Sequence, residues 1–209
     1  MGWAEQAGAA IERYRGGETR ELDQRQLTQL GNTAWAAGLC LLMAGRRDEA
    51  ADWLRTAATR YRDSWQGAPP DSWGRPIAAM KALLLAGDDA SAAARWTLDA
   101  GAGDATSPIG RYAGALALLA LGEDAAALAL GSTLRDREDF PKAIADAVVA
   151  IAAGDRAAYM LAIEDVLESF EKRADFLEDV RVADTVLVLQ LLAAKRDAAV
   201  ELPLCELLP

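Results

Sequence analysis

The sequence has no histidine among its 209 residues and only two cysteines. Without an imidazole there is no Ser-His or Cys-His nucleophile pair, no His-ligated zinc and no side chain that ordinarily titrates near neutrality. Two thiols, Cys40 and Cys205, cannot furnish a four-thiolate zinc site or a disulfide framework, and neither belongs to a CxxC pair. Cys40 lies in the run Gly38-Leu39-Cys40-Leu41-Leu42 and reads as a small core residue. Positive charge is scarce: 22 Lys and Arg stand against 32 Asp and Glu, a net charge of −10. A field of that sign repels phosphate backbones and anionic lipid, so nucleic acid and membrane surfaces are not expected partners. Long apolar runs are missing as well. The stretch from Ala113 to Gly122 is about half of what spans a bilayer. The N-terminus, Met1-Gly2-Trp3-Ala4-Glu5, lacks a basic segment followed by an apolar one, and Gln6 stands where a myristoylation signal requires Ser or Thr. The protein is therefore expected to be cytoplasmic. No GxxxxGK[ST] phosphate loop occurs, and Gly101-Ala102-Gly103 lacks the third glycine and the preceding strand of a dinucleotide fingerprint. No cofactor, metal or catalytic residue is expected.

What is present is ordinary globular material, 52% hydrophobic and 26% charged, read as one domain over residues 1–209. Arginine far exceeds lysine and alanine is abundant, which fits a high-GC bacterial gene. The chain also carries an internal repeat. Four places share one grammar, in which an apolar helix ends, a glycine follows, charged residues come next and an Ala-rich helix begins. They are Leu41-Leu42-Met43-Ala44-Gly45-Arg46-Arg47-Asp48-Glu49, Leu83-Leu84-Leu85-Ala86-Gly87-Asp88-Asp89, Leu118-Leu119-Ala120-Leu121-Gly122-Glu123-Asp124 and Val149-Ala150-Ile151-Ala152-Ala153-Gly154-Asp155. A fifth, degenerate copy is Leu191-Leu192-Ala193-Ala194-Lys195-Arg196-Asp197. Glycine takes the left-handed backbone that ends a helix without steric cost, and the acids after it suit the positive start of the next helix. Five residues after each glycine stand Ala50, Ala92, Ala127 and Tyr159; nine after, Leu54, Trp96, Gly131 and Ile163; twelve after, Ala57, Asp99, Leu134 and Val166. Those offsets share one helix face, with Asp99 and Gly131 as breaks in the pattern.

With Gly45, Ala50, Leu54 and Ala57 in that register, and Gly87, Ala92 and Trp96 in part of it, the chain resembles the tetratricopeptide repeat across residues 24–197. The closing proline after Arg62 is absent and the spacing departs from the family's period. The resemblance implies an all-α fold, a right-handed α-α superhelix of about five degenerate helical hairpins, and a role in binding peptides or proteins. The decay of the repeat toward the fifth copy also suits a compact bundle.

Helices are expected at 3–15, 24–44, 48–66, 71–86, 89–100, 107–121, 124–136, 141–153, 156–173 and 181–195, with no strands. The breakers are Gly67-Ala68-Pro69-Pro70, Gly101-Ala102-Gly103-Asp104 and Phe140-Pro141, with Asp71 and Asp104 as expected N-caps. In a solenoid the first helices of successive units line one face. Trp73, Arg75, Arg111, Tyr112 and Lys142 sit just after the starts of such helices. Arg75 and Lys142 lie twelve residues before their glycines and Arg111 eleven. This basic-aromatic row is the expected binding site, suited to an acidic peptide or carboxylate ligand. Trp53 and Trp96 read as core, and Trp65 and Trp73 as packing across the Pro69-Pro70 turn. Glu164, Glu168 and Glu171 share a helix face and read as a solvated acidic surface instead of a cation site. Asp184, amid Val182-Ala183 and Thr185-Val186-Leu187-Val188, reads as a first-turn acid, or as a buried partner of an arginine such as Arg181 or Arg111. The last apolar helix and Leu202-Pro203-Leu204 could cap the array or pair two chains. The function expected is a non-enzymatic protein- or peptide-interaction module. The alternatives are an acidic inhibitor or immunity-type protein that neutralises a basic partner and, more distantly, an enzyme working with carboxylates and arginines.

Overall fold

A computed structural model describes residues 2–18 and 21–209. The fold is all-α, with ten α-helices among the described residues: α1 Trp3–Gly17, α2 Gln24–Met43, α3 Arg47–Trp65, α4 Gly74–Leu85, α5 Ser91–Asp99, α6 Pro108–Leu121, α7 Asp124–Ser132, α8 Lys142–Ala153, α9 Arg156–Glu171 and α10 Asp184–Ala194. From α1 to α4, and again from α5 to α9, helices adjacent in sequence pack on one another in hairpin fashion, an arrangement compatible with a helical-repeat architecture. No helix among the described residues is long and apolar enough to cross a membrane. The chain divides into two compact units. One comprises the residues up to Asp88 with Ala174–Asp184 and Cys205–Pro209, and the other comprises Asp89–Arg173 with Thr185–Leu204. In the first unit α1 packs on α2, α2 on α3 and α3 on α4. In the second α5 packs on α6, α6 on α7, α7 on α8 and α8 on α9, and α6 also touches α8.

The glycine corners share one hydrogen-bond motif. At Gly45, Gly87, Gly122 and Gly154 φ is +75°, +78°, +77° and +67°. The glycine N–H donates to Leu42, Leu84, Leu119 and Ile151, and the next residue's N–H donates to Leu41, Leu83, Leu118 and Ala150. These bonds satisfy carbonyls that the helix end leaves open. The degenerate fifth corner uses the same bonds two residues later than the sequence alignment places it. Asp197 takes the left-handed position (φ +55°), its N–H donates to Ala194, and that of Ala198 donates to Ala193.

The acids after the glycines cap less uniformly than expected. Asp155 accepts from the Ala158 N–H at 3.0 Å, and Asp89 from the Ser91 N–H at 2.9 Å. Arg46 and Glu123 occupy the equivalent places without a side-chain cap, and Arg46 pairs instead with Glu49. In the second unit Arg196 ties two corners together. Its guanidinium donates to the Leu119 carbonyl at 2.8 Å and to the Asp124 carboxylate.

The inward offsets hold at three corners. Ala50, Leu54 and Ala57, then Ala127, Gly131 and Leu134, then Tyr159, Ile163 and Val166 are all buried. The corner at Gly87 differs. There α5 starts four residues after the glycine instead of two, because Asp89 engages Ser91 before the helix begins. The delay turns Ala94 and Thr97 inward and leaves Ala92 and Asp99 exposed and Trp96 partly so. Two expected caps also move. Asp71 adopts φ +59° and accepts from the Trp73 indole, and α4 begins only at Gly74. α6 is capped by Ser107 in front of Pro108, not by Asp104. α7 stops at Ser132, where Ser132 and Thr133 bond back to the carbonyls of Leu128 and Leu130.

Candidate functional site

The five expected site residues fall into different environments. Trp73 is the N-cap residue of α4. It is buried against Trp65 at 5.8 Å between ring centroids, as the sequence suggested for that pair. Tyr112 is buried in the second unit, its ring 5.5 Å from that of Phe140. Half-buried Arg111 spends its Nε–H on the Ala105 carbonyl at 3.0 Å. Lys142 is exposed, and its ammonium reaches Asp146 at 2.6 Å, a carboxylate that Arg135 also engages. Arg75 alone of the five lines a described groove.

That groove, a cavity of about 280 Å³, lies in the first unit and is lined in part by Thr28, Asn32, Tyr61, Ser72 and Arg75. Its walls start from two helix N-termini. α2 is fixed by a capping box: Asp23 accepts from the Arg25 and Gln26 N–H groups at 2.8 Å, and Gln26 accepts from the Asp23 N–H at 2.9 Å. Gln24, Thr28 and Asn32 then follow at four-residue spacing on one face of α2. On α4, Arg75 is the second residue, so the positive helix end adds to its charge.

The Arg75 guanidinium is held entirely by neutral oxygens. Its Nε–H is shared between Thr28 Oγ1 and Ser64 Oγ, each at 3.1 Å, and Nη2 donates to Gln24 Oε1 at 2.5 Å. Those hydroxyls send their own protons elsewhere, Thr28 to the Gln24 carbonyl and Ser64 to that of Tyr61, so their lone pairs are committed to Arg75. Among the described residues no carboxylate reaches Arg75, and burial alone pushes its pKa below the ordinary arginine value. The remaining N–H groups, on Nη1 and Nη2, are available as donors. Asn32 supplies a second set. Its Oδ1 accepts from the Tyr61 hydroxyl at 2.9 Å, which leaves the amide NH2 for the groove. Burial first, then the nearby Asp184 and Glu178 carboxylates, push the Tyr61 phenol up, so it stays protonated and remains the donor. A fixed cation and an amide donor that no carboxylate pairs with are groups whose chemistry suits an oxyanion such as a carboxylate.

Asn32, Thr28, Gln24 and Tyr61 were not anticipated. The available signal was positional, since Asn32 lies thirteen residues before Gly45, within one residue of where Arg75 stands relative to Gly87. Two larger clefts of about 570 and 530 Å³ border α1, but the arginines that line them are already engaged. Arg13 pairs with Glu178 and Arg181 lies over the Phe176 ring. Asp184 is half of a buried ion pair, and its partner is Lys81, not an arginine. Its side chain is 17% exposed and that of Lys81 11%. Among the described residues no group of three or more Cys, Asp or Glu is placed to hold a metal ion, and Glu168 of the acidic face pairs with Lys172. No family model, curated protein or solved structure matches the chain.

Proposed function

We propose that this chain is a non-enzymatic interaction module that binds an acidic residue of a protein or peptide in the Arg75 groove. Within each unit, the hairpins would stack as degenerate, right-handed tetratricopeptide-like repeats. The left-handed Gly45 corner, followed by buried Ala50, Leu54 and Ala57 in the first hairpin, supports that likeness. The observation that carries the binding role is the donor set. Arg75 and the Asn32 amide face a groove with no carboxylate of their own, in a chain whose net charge is −10. A guanidinium kept free of acid partners and locked by three neutral acceptors is pre-organised for an incoming anion, because little rotamer freedom is left to lose on binding.

The test is fluorescence anisotropy with a labelled oligoglutamate peptide and its oligoglutamine counterpart. The acidic peptide is expected to bind and the neutral one not. One charge-assisted bidentate contact contributes about 1.5–3 kcal/mol, so Arg75→Gln should weaken binding roughly 10- to 100-fold. Asn32→Asp should abolish it by like charge. Equal affinity of wild type and Arg75→Gln for the acidic peptide would refute the assignment.

A further inference from the structure

We propose that the outer face of α9 is a self-pairing surface that holds two copies of this chain antiparallel. The proposal is independent of the Arg75 groove. α9 buries Tyr159, Ala162, Ile163, Val166, Leu167 and Phe170. Its opposite face carries Arg156, Ala157, Met160, Leu161, Glu164 and Asp165, all exposed. Met160 is 44% exposed and Leu161 63%, an adjacent pair of large apolar side chains open to water. Farther along, Glu168 is occupied by Lys172 at 2.5 Å. Arg156, Glu164 and Asp165 make no ion pair or side-chain hydrogen bond with the described residues.

Along the axis the face therefore reads cationic, apolar, anionic. At 1.5 Å per residue, Arg156 stands about 12 Å from Glu164, with the apolar pair midway. A two-fold axis at Met160 and Leu161 brings the apolar pair of one copy onto that of the other. It also sets Arg156 of each copy against Glu164 and Asp165 of its mate. Such an isologous contact is self-complementary. A parallel arrangement would oppose like charges. A basic helix from another protein would neutralise Glu164 and Asp165 but repel Arg156. A second copy matches the apolar pair and all three charges at once. Ala157 is small enough to let the helices approach. One helix face covers less than the roughly 800 Å² per partner of a standard interface, so the association is weak and concentration-dependent.

Sedimentation velocity and light scattering on the full chain, from about 10 μM to 1 mM, provide the test. The apparent mass of the wild type is expected to rise from 22.2 kDa toward twice that value. Leu161→Lys should weaken the association at least tenfold. Arg156→Glu alone and the Glu164→Arg/Asp165→Arg variant alone should each remain monomeric. Mixed one to one they should associate, because every reversed charge then meets its opposite. All these positions are exposed, and circular dichroism checks that each variant keeps its helix content. A wild type that stays at monomer mass throughout would overturn the proposal. So would association that persists in both charge variants, or a mixture that associates no better than its components. Capture of a cationic amphipathic peptide by a strictly monomeric wild type would assign the face to a basic partner and refute self-pairing.

Discussion

The Lys81–Asp184 pair tests whether a carboxylate in an apolar stretch is structural. The ammonium and the carboxylate are nearly sealed from water, and Lys81 Nζ also lies 5.8 Å from the centre of the Trp35 ring. Solvent screening is weak there, so the low values typical of exposed pairs, about 0.2–1 kcal/mol, do not apply. Removing one partner leaves the other charge buried without compensation, which costs about 3–5 kcal/mol. Asp184→Asn retains the shape and should therefore lower stability by about 3 kcal/mol, a fall in Tm of about 6–12 °C for a chain of this size. Asp184 is also the first residue of α10, so part of any loss, about 0.3–1 kcal/mol, belongs to the helix end and not to Lys81. A double-mutant cycle with Lys81→Met separates the two contributions, and the coupling should exceed about 2 kcal/mol. Lys81→Met/Asp184→Leu should recover most of the stability, since replacing both ions with apolar groups of similar volume is often neutral. Urea unfolding followed by tryptophan emission suits the question, because Trp3, Trp35, Trp53, Trp65 and Trp73 all lie in the first unit and only Trp96 in the second. A coupling below about 0.5 kcal/mol would refute the reasoning and make Asp184 an ordinary first-turn acid.

The remaining expectations concern the corners and the close contacts. Gly154→Ala forces a Cβ into a left-handed position and should cost about 1 kcal/mol in urea unfolding, whereas Asp197→Gly relieves the same strain and should be neutral or stabilising by up to about 0.5 kcal/mol. At Gly114 an added Cβ would lie 2.9 Å from the Ala102 carbonyl oxygen, which is backbone and cannot swing aside. Gly114→Ala should therefore lose about 1–3 kcal/mol despite the better helix propensity of alanine, and a stabilised variant would refute that packing. The Arg55 hydrogen bond holds the Asp88 carboxyl below its ordinary range. A depressed folded-state pKa contributes stability above the unfolded value and loses it as pH falls through the folded one, so the urea midpoint should drop below about pH 4. Asp88→Asn should flatten that limb of the profile, and an unchanged slope would rule the pair out as its source.

The corners were legible because every bond in them is local. A glycine, the apolar turn before it and the two residues after it contain the whole motif. The inward faces were legible wherever the next helix starts two residues after the glycine. At Gly87 the same pattern misled, because Asp89 hydrogen-bonds Ser91 and delays α5 by two residues, which turns Trp96 partly to solvent. Nothing in the offset count registers that contact. Lys81 was equally hard to see. It sits in an apolar run, and its partner lies in the segment Ala174–Asp184, which rejoins the first unit only after Asp89–Arg173 of the second.

The expected site shows how far spacing reaches. Lys142 and Arg75 occupy the same position relative to their glycines, yet one is neutralised and the other is not. Lys142 carries Asp146 four residues on, on its own helix face, and the pair forms. Arg75 has Ala78 and Ala79 at three and four residues on, so α4 offers it no acid. That local difference already separates the two cations by sequence alone. What sequence cannot supply is the set of groups that hold Arg75, since Gln24 and Thr28 lie 51 and 47 residues away and reach it only because α2 and α4 belong to one compact unit. Had any of those three acceptors been a carboxylate, Arg75 would be a structural ion pair. Their neutrality is therefore the feature on which the binding assignment turns. Gln24→Glu should test it directly, by placing an internal anion on Nη2 and lowering affinity for the acidic peptide while stabilising the first unit.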